Sequence, residues 1–261
     1  MPDEYSYDAS AVPRFAVSVD LAVFTVKGDA LQVLLVRRGQ YPYEGMWALP
    51  GGFVRADLDA NLERAAQREL REKTRLGMHA MASAADGEIH LEQLRAYWRR
   101  GRDPRPGQEV ATVAFLAIGP DLPQPIAGGD AAEAAWRPAA DVLTERVALA
   151  FDHRQIVRDA AAEVRRRLED TALATLFVPH EFTLAELLHV YEVIWGERLD
   201  KRNFYRKMKE LDGFITSTGR STSGRSGRPA ELYVRSGVDE LRRPILRPER
   251  PAPQRELWSE R

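Results

Sequence analysis

Between Phe15 and Thr25 the chain reads Phe-Ala-Val-Ser-Val-Asp-Leu-Ala-Val-Phe-Thr, and Leu31 to Val36 is a second apolar run. Such runs, part alternating and part continuous, predict strands, and Lys27-Gly28-Asp29 between them predicts the turn of a hairpin ending at Arg37-Arg38. From Asp59 to Thr74 the period changes, and Leu62, Ala65, Ala66 and Leu70 fall on one face of a helix. Leu91 to Ala96 and Val110 to Ile118 read as strands again, parted by a turn-forming Arg102-Asp103-Pro104-Arg105-Pro106 loop. Trp136 to Leu143 reads as a short strand and a turn of helix. Strands with helices set between them predict an α/β sandwich over residues 12–147. Asp152 to Leu168 is a long helix with Ile156, Ala160, Val164 and Leu168 along one stripe; this linker element (148–172) either bridges two domains or meets a second copy.

The pattern over residues 173–240 predicts a different domain. Thr183-Leu184-Ala185-Glu186 fits a capping box, in which hydroxyl and carboxylate satisfy the free amides of a helix start. The helix that follows buries Leu184, Leu187, Leu188, Tyr191 and Ile194 and stops at Trp195-Gly196. Asp200 caps a second helix, Lys201 to Leu211, with Phe204, Met208 and Leu211 at core spacing. Lys201, Arg202, Asn203, Arg206, Lys207 and Lys209 cover its outer arc. Arg and Lys suit phosphates and guanine edges and Asn suits adenine, so this is the face a recognition helix needs. Phe214 to Thr218 and Leu232 to Arg235 flank a Gly/Ser/Arg-rich segment, Gly219 to Pro229, that reads as a wing carrying Arg220, Arg225 and Arg228. Helix, basic helix and basic hairpin together predict a winged helix-turn-helix that binds double-stranded DNA.

Composition narrows the frame. A chain of 261 residues with 44% apolar and 30% charged residues suits two domains with real cores. The absence of cysteine excludes a disulfide framework, a thiolate nucleophile and a Cys-ligated zinc, and suits a reducing cytoplasm. No apolar run approaches membrane-spanning length, and polar Met1 to Ser10 does not read as a signal peptide. Residues 241–261, rich in Pro and charge, are expected as a disordered tail. The net charge of −1 hides an asymmetry: Arg198 to Arg235 holds ten basic residues against four acids, the footprint of a nucleic-acid surface.

Candidate chemistry sits at Leu49-Pro50-Gly51-Gly52 and Arg68-Glu69-Leu70-Arg71-Glu72-Lys73-Thr74. Positions three and four apart share a helix face, so Glu69, Glu72 and Lys73 cluster. A hard dication wants several carboxylate oxygens, and an ammonium among them removes charge and takes volume. The other reading has Lys73 in solvent while Glu63, Glu69 and Glu72 hold one ion. These residues resemble a Nudix box, a loop and helix that present carboxylates to Mg²⁺ on a diphosphate. Lys73 stands where that pattern ends in Glu, Arg75 replaces its Gly, and the interval from Gly52 to Arg68 is two residues longer. Its first Glu is missing; Asp57 and Asp59 are the nearest acids. Efficient metal catalysis is not expected, so no catalytic residue, metal ligand or required cofactor is assigned.

The whole chain resembles the bacterial Nudix-related transcriptional regulators of NAD metabolism, which join a non-hydrolytic Nudix domain to a C-terminal winged helix. The likeness is carried by Leu49 to Val54, Arg68 to Thr74, Leu91-Glu92-Gln93-Leu94, Arg102-Asp103-Pro104-Arg105, Ala150-Phe151-Asp152-His153 and Val178 to Glu186. It implies an N-terminal α/β/α sandwich, repression of NAD biosynthesis or salvage genes, a homodimer on a palindromic operator, and release by ADP-ribose or a related nucleotide. The ligand candidates are Gly51, Gly52, Arg37, Glu69, Lys73, Gln93, Arg102 and Arg105. Exposed amides and guanidinium groups suit a diphosphate, and Lys73 could meet a phosphate in place of a metal. Arg37 and Arg38 are not separated by sequence. Tyr97, Trp98 and Trp47 are candidates for ribose or adenine, and His153 beside Asp152 is expected at a hinge or helix start. The competing readings are an active ADP-ribose pyrophosphatase and a regulator answering to a sugar or another nucleotide.

Overall fold

The computed structural model describes residues 14–76, 89–222, 229–237, 239–241 and 244–245. They form two compact units, residues 1–163 with 176–180 and residues 164–175 with 181–261.

The first unit is mixed α/β. Its strands are β1 (Ala16–Lys27), β2 (Ala30–Arg38), β3 (Trp47–Ala48), β4 (Gly51–Phe53), β5 (His90–Tyr97), β6 (Val110–Ile118) and β7 (Ala131–Pro138). They make one seven-stranded sheet in the order β3-β2-β1-β6-β5, with β4 on β1 and β7 on β2. The expected hairpin is present, Phe24 opposite Val33 and Lys27 opposite Ala30. The long central strand β1 runs parallel to β6, Ala16 with Val110 through Phe24 with Ile118. Strands alternate faces. Val19, Leu21 and Val23 pack with Ala65, Ala66 and Leu70 of α1 (Leu62–Thr74), and Ala22 and Phe24 on the other face are also fully buried. Coverage on both faces is why β1 reads as a continuous apolar run.

Helix α1 starts at Leu62, not at Asp59 as the sequence predicted. Asn61 is its cap, accepting the Arg64 N–H at 2.9 Å, because Asp59 is committed elsewhere. It ends at Arg75 in the left-handed conformation (φ 57°), which glycine adopts without strain and arginine does not. The strand predicted from Trp136 begins earlier, at Ala131, and α2 (Ala139–Leu143) follows it. Helix α3 (His153–Asp170) carries Ile156, Ala160, Val164 and Leu168, each fully buried inside the chain.

The second unit holds α4 (Leu184–Trp195), α5 (Lys201–Glu210) and a three-stranded sheet ordered β8 (Phe182–Thr183), β10 (Glu231–Arg235), β9 (Ile215–Ser221). Both halves of the capping box form: Glu186 N–H donates to Thr183 Oγ1 at 3.2 Å, and Thr183 N–H donates to the Glu186 carboxylate at 2.7 Å. Left-handed Gly196 ends α4, and Asp200 caps α5 by accepting the Asn203 N–H at 2.7 Å. Leu187, Tyr191, Ile194, Phe204, Met208 and Phe214 make the core. The end of α3 is tied in by Arg165 Nε donating to Ile194 O and by Trp195 Nε1 donating to Arg165 O. Within the stretch expected as a tail, Leu241 and Ile245 donate their amides to Asp170 and Glu169 carbonyls, and Ile245 is buried. The remainder of that stretch, residues 1–10, Arg225 and Arg228 lie outside the described residues.

Candidate functional site

A cavity of about 350 Å³ opens in the first unit over the carboxyl end of the Leu-Pro-Gly-Gly segment. Six of the eight expected ligand residues line it: Gly51, Gly52, Glu69, Lys73, Arg102 and Arg105. Arg37 and Gln93 do not. Successive residues of a strand face opposite ways, and on β2 it is Arg38 that turns into the cavity, while Arg37 donates to Gly45 O at 2.9 Å and lies 3.8 Å from Glu133. Gln93 is exposed on β5. The expected aromatics are also elsewhere. Tyr97 donates to Asp159 at 2.9 Å, Trp98 sits edge-on to Phe15, and Trp47 lies under the Arg137 guanidinium. Tyr41, Phe53 and Phe151 line the cavity instead.

One wall is the box helix. Arg68 binds both oxygens of Asp59 at 2.8 Å, Glu69 at 2.6 Å, Glu72 at 3.3 Å and the Phe53 carbonyl at 3.0 Å. Asp59, the nearest acid before the helix, is thus the bidentate partner of Arg68. That hydrogen bond from Arg68 pulls its carboxyl down to about 2. Glu69 is 3% exposed and shows why Gly52 is glycine: a β-carbon there would overlap the Glu69 carboxylate. Burial raises the Glu69 carboxyl against the opposing pull of Arg68 and Lys73. Its Oε2 has no hydrogen-bond partner among the described residues, and the Lys73 ammonium lies 3.8 Å from it. Lys73 does not point to solvent. Its ammonium lies between Glu69 and Asp130, with which it forms an ion pair.

The floor is a buried polar network. Arg102, 4% exposed, donates from Nε to Asp152 Oδ2 at 3.0 Å, pairs also with Asp152 Oδ1, and lies 3.7 Å from Asp20. Burial alone would raise the Asp152 carboxyl, but the Arg102 hydrogen bond and charge hold it below its ordinary value. Asp20 also accepts from Thr112 Oγ1 at 2.7 Å. His153 opens α3 and its Nδ1 accepts the Leu49 N–H at 2.9 Å, so that nitrogen carries no proton, and burial lowers its pKa. This is the helix-start role expected for His153, and it ties the Leu-Pro-Gly-Gly segment to α3. Arg105 is held by Asp103 and stacks over Phe53 at 4.6 Å.

In the second unit Lys201, Arg202, Asn203 and Arg206 are exposed along α5 and Lys207 is half-buried. Arg206 is steadied by Glu210 at 3.0 Å, Lys209 lies 3.5 Å from Glu231, and Arg220 on β9 pairs with Glu181.

A cation-rich pocket in an α/β unit, on one chain with a winged helix whose second helix is basic, is the layout of a ligand-responsive DNA-binding protein. Comparison with known proteins gives the family. Residues 14–160 match the NUDIX domain and residues 174–234 the NrtR DNA-binding winged helix domain. The chain is 36% identical over 228 residues, 87% of its length and 84% of the relative's, to an "ADPR responsive transcriptional repressor NtrR" of Acinetobacter baylyi. A crystal structure of Shewanella oneidensis NrtR complexed with a 27mer DNA matches with TM-score 0.70 and 30% identity, over 88% of this chain and 99% of that one. The NUDIX domain of the same protein complexed with ADP ribose matches with TM-score 0.51 and 32% identity, over 61% and 94%. An ADP-ribose pyrophosphatase of Methanocaldococcus jannaschii is 35% identical over 49% of this chain and 64% of its own length. The chain belongs to the NrtR family, a NUDIX domain followed by an NrtR-type winged helix.

Proposed function

We propose that this chain is a transcriptional repressor of NAD biosynthesis or salvage genes that binds a palindromic operator as a homodimer and is released by ADP-ribose, or a related NAD-derived nucleotide, in the Nudix pocket. The observation that carries the reading is Lys73. Its ammonium lies between Glu69 and Asp130, and Arg68 engages Asp59, Glu69 and Glu72. Among the described residues no three His, Asp or Glu side chains are placed to hold a metal ion. A Mg²⁺-dependent cleavage site does not fit this arrangement, because a dication needs several carboxylates and here an ammonium and a guanidinium stand among them. Arg38 and Lys73, with Gly51 and Gly52 beside them in the cavity lining, suit the diphosphate of an intact ligand. Lys201, Arg202, Asn203, Arg206 and Lys207 are assigned to the major groove and Arg220 to the backbone. The relative named as ADPR responsive and the NrtR complexes with DNA and with ADP ribose support DNA and ADP-ribose as the two ligands.

The test uses fluorescence anisotropy on duplexes from upstream of the chain's own gene and of NAD-salvage genes, with and without ADP-ribose. A ligand shifts DNA binding only through its different affinity for the two states, and the coupling is reciprocal. ADP-ribose is expected to weaken operator binding, and operator to weaken ADP-ribose binding by the same factor. Equal ADP-ribose affinity in both titrations, or Mg²⁺-dependent turnover near ~10 per second, would refute the proposal.

A further inference from the structure

The cations around the cavity are already neutralised from within, except Arg38 and the exposed Arg55, whose side chains form no ion pair among the described residues. Arg102 holds Asp152 and Arg105 holds Asp103. Lys73 holds Asp130 and is close to Glu69. Arg38 alone among these four has no carboxylate within 4.0 Å among the described residues; its Nε donates to Pro42 O at 2.6 Å and its guanidinium lies 5.0 Å from the Phe151 ring. An anionic ligand entering this cavity must therefore displace a carboxylate or be limited to Arg38 and Arg55.

The internal acids differ in how firmly they are held. Asp103 has a side chain 3% exposed and accepts the Arg105 backbone N–H as well as its side chain. The Asp152 side chain is 16% exposed, facing Arg102. The Asp130 side chain is 37% exposed, at the cavity rim, where besides Lys73 it accepts the exposed Gln40 amide at 3.0 Å and its own backbone N–H. Its backbone is fixed: Gly39 N–H donates to Asp130 O at 3.0 Å, and Gly128 N–H ties the preceding turn to Lys73 O at 3.1 Å. The Asp130 carboxylate can thus rotate into water with no movement of the chain. Lys73 cannot follow it, because its side chain is 14% exposed and faces the buried Glu69.

We propose that Asp130 is an internal stand-in for a ligand phosphate, displaced from Lys73 when the effector binds, so that it sets the affinity of the pocket and its preference for a diphosphate. This rests on the reading of the pocket as an anionic effector site. The exchange is close to charge-neutral for Lys73, since one oxyanion replaces another. Arg38 lines the same cavity as Lys73 and Asp130, so a two-phosphate group seated at Lys73 can extend toward it. A monoanion that expels a carboxylate gains little, whereas a diphosphate adds charge for Arg38 and exceeds what it displaces. The protein is competent to bind only in the fraction of molecules with Lys73 free, and apparent affinity is reduced by that fraction.

The experiment is calorimetric titration of the full chain with ADP-ribose and, separately, inorganic pyrophosphate, using wild type, Asp130→Asn, Asp130→Glu, Lys73→Gln and the Lys73→Gln/Asp130→Asn double variant. Asp130→Asn keeps an acceptor for Gln40 but loses the competing charge, and should bind both ligands roughly three- to tenfold more tightly. Asp130→Glu restores the charge and should restore the weaker binding. In the Lys73→Gln background the gain from Asp130→Asn should vanish, which a merely structural Asp130 would not produce. Equal affinity in wild type and Asp130→Asn, or a gain that persists without Lys73, would overturn the displacement while leaving ADP-ribose as effector. A gain for pyrophosphate with no ADP-ribose binding would support the displacement and remove ADP-ribose as effector. Binding of neither ligand to either protein would overturn both.

Discussion

Replacing Arg102 by Met removes the cation from the pocket floor while keeping most of its volume. Asp152 loses its hydrogen bond at 3.0 Å and its ion pair, and Asp20, 6% exposed, loses the positive charge 3.7 Å away. Deleting one partner of a buried pair leaves an uncompensated charge and costs about 3–5 kcal/mol. The Asp152 side chain is 16% exposed, so water screens part of this, and about 3 kcal/mol is expected. For a unit of this size that corresponds to a melting temperature lower by roughly 6–12 °C. The penalty also has a pH signature. Asp152 is held below its ordinary pKa by Arg102, so the stabilisation is complete above the usual carboxylate range and is lost as pH falls through the lowered pKa. In Arg102→Met the orphaned Asp152 carboxylate takes up a proton more readily, and the gap to wild type should narrow towards about pH 4. Urea unfolding followed by tryptophan fluorescence at pH 7.5 and again near pH 4 measures both. A loss below about 1 kcal/mol, or a larger one unchanged by pH, would show that Arg102 is a solvated ligand arginine and not the centre of the floor network.

Two further outcomes follow from the same geometry. Asp59, drawn to about 2 by the Arg68 hydrogen bond, contributes stability that is present above its ordinary value and lost as pH falls. The urea midpoints of wild type and Asp59→Asn should therefore differ at pH 7 and converge between about pH 4 and 2; parallel curves would refute the pairing. Asn203→Ala and Arg206→Ala should each reduce discrimination between operator and random duplex by about 1–3 kcal/mol. Arg220→Ala should weaken all sequences alike and lower the salt slope by about one. Identical behaviour of helix and wing variants in filter binding at two salt concentrations would end that division of roles.

The winged helix was legible because its signals are local: a capping box, a helix stop at Gly196, a cap at Asp200 and one basic arc, all within short sequence distances. The hairpin of β1 and β2 was legible for the same reason. The pocket was legible only where the motif is contiguous. Arg37 and Arg38 differ by one residue on a strand that is apolar on both sides, so no alternation shows which faces the cavity. Asp59 looked like the first residue of a helix, and its partner Arg68 is reached only by folding. Asp130 is farther still from Lys73 in sequence, and nothing near either residue announces the pair. The first half of β7, Ala-Ala-Glu-Ala-Ala, has helical propensity that pairing with β2 overrides. Gln93 and the three expected aromatics were drawn from resemblance, with no local signal to fix the side of the sheet on which they lie.

The parallel pairing of β1 with β6 has a consequence for the birth of the chain. Residue 16 leaves the ribosome long before residue 110, and at usual synthesis rates the wait is roughly 5–20 s. For that time one side of the central strand has no neighbour, while β2 and β4 pair only with the other. The nascent hairpin is thus an open edge of Val, Leu and Phe. Chaperone demand during expression should follow the speed of translation between these strands, and synonymous codons that slow that stretch should lower the soluble yield while leaving the finished protein unchanged.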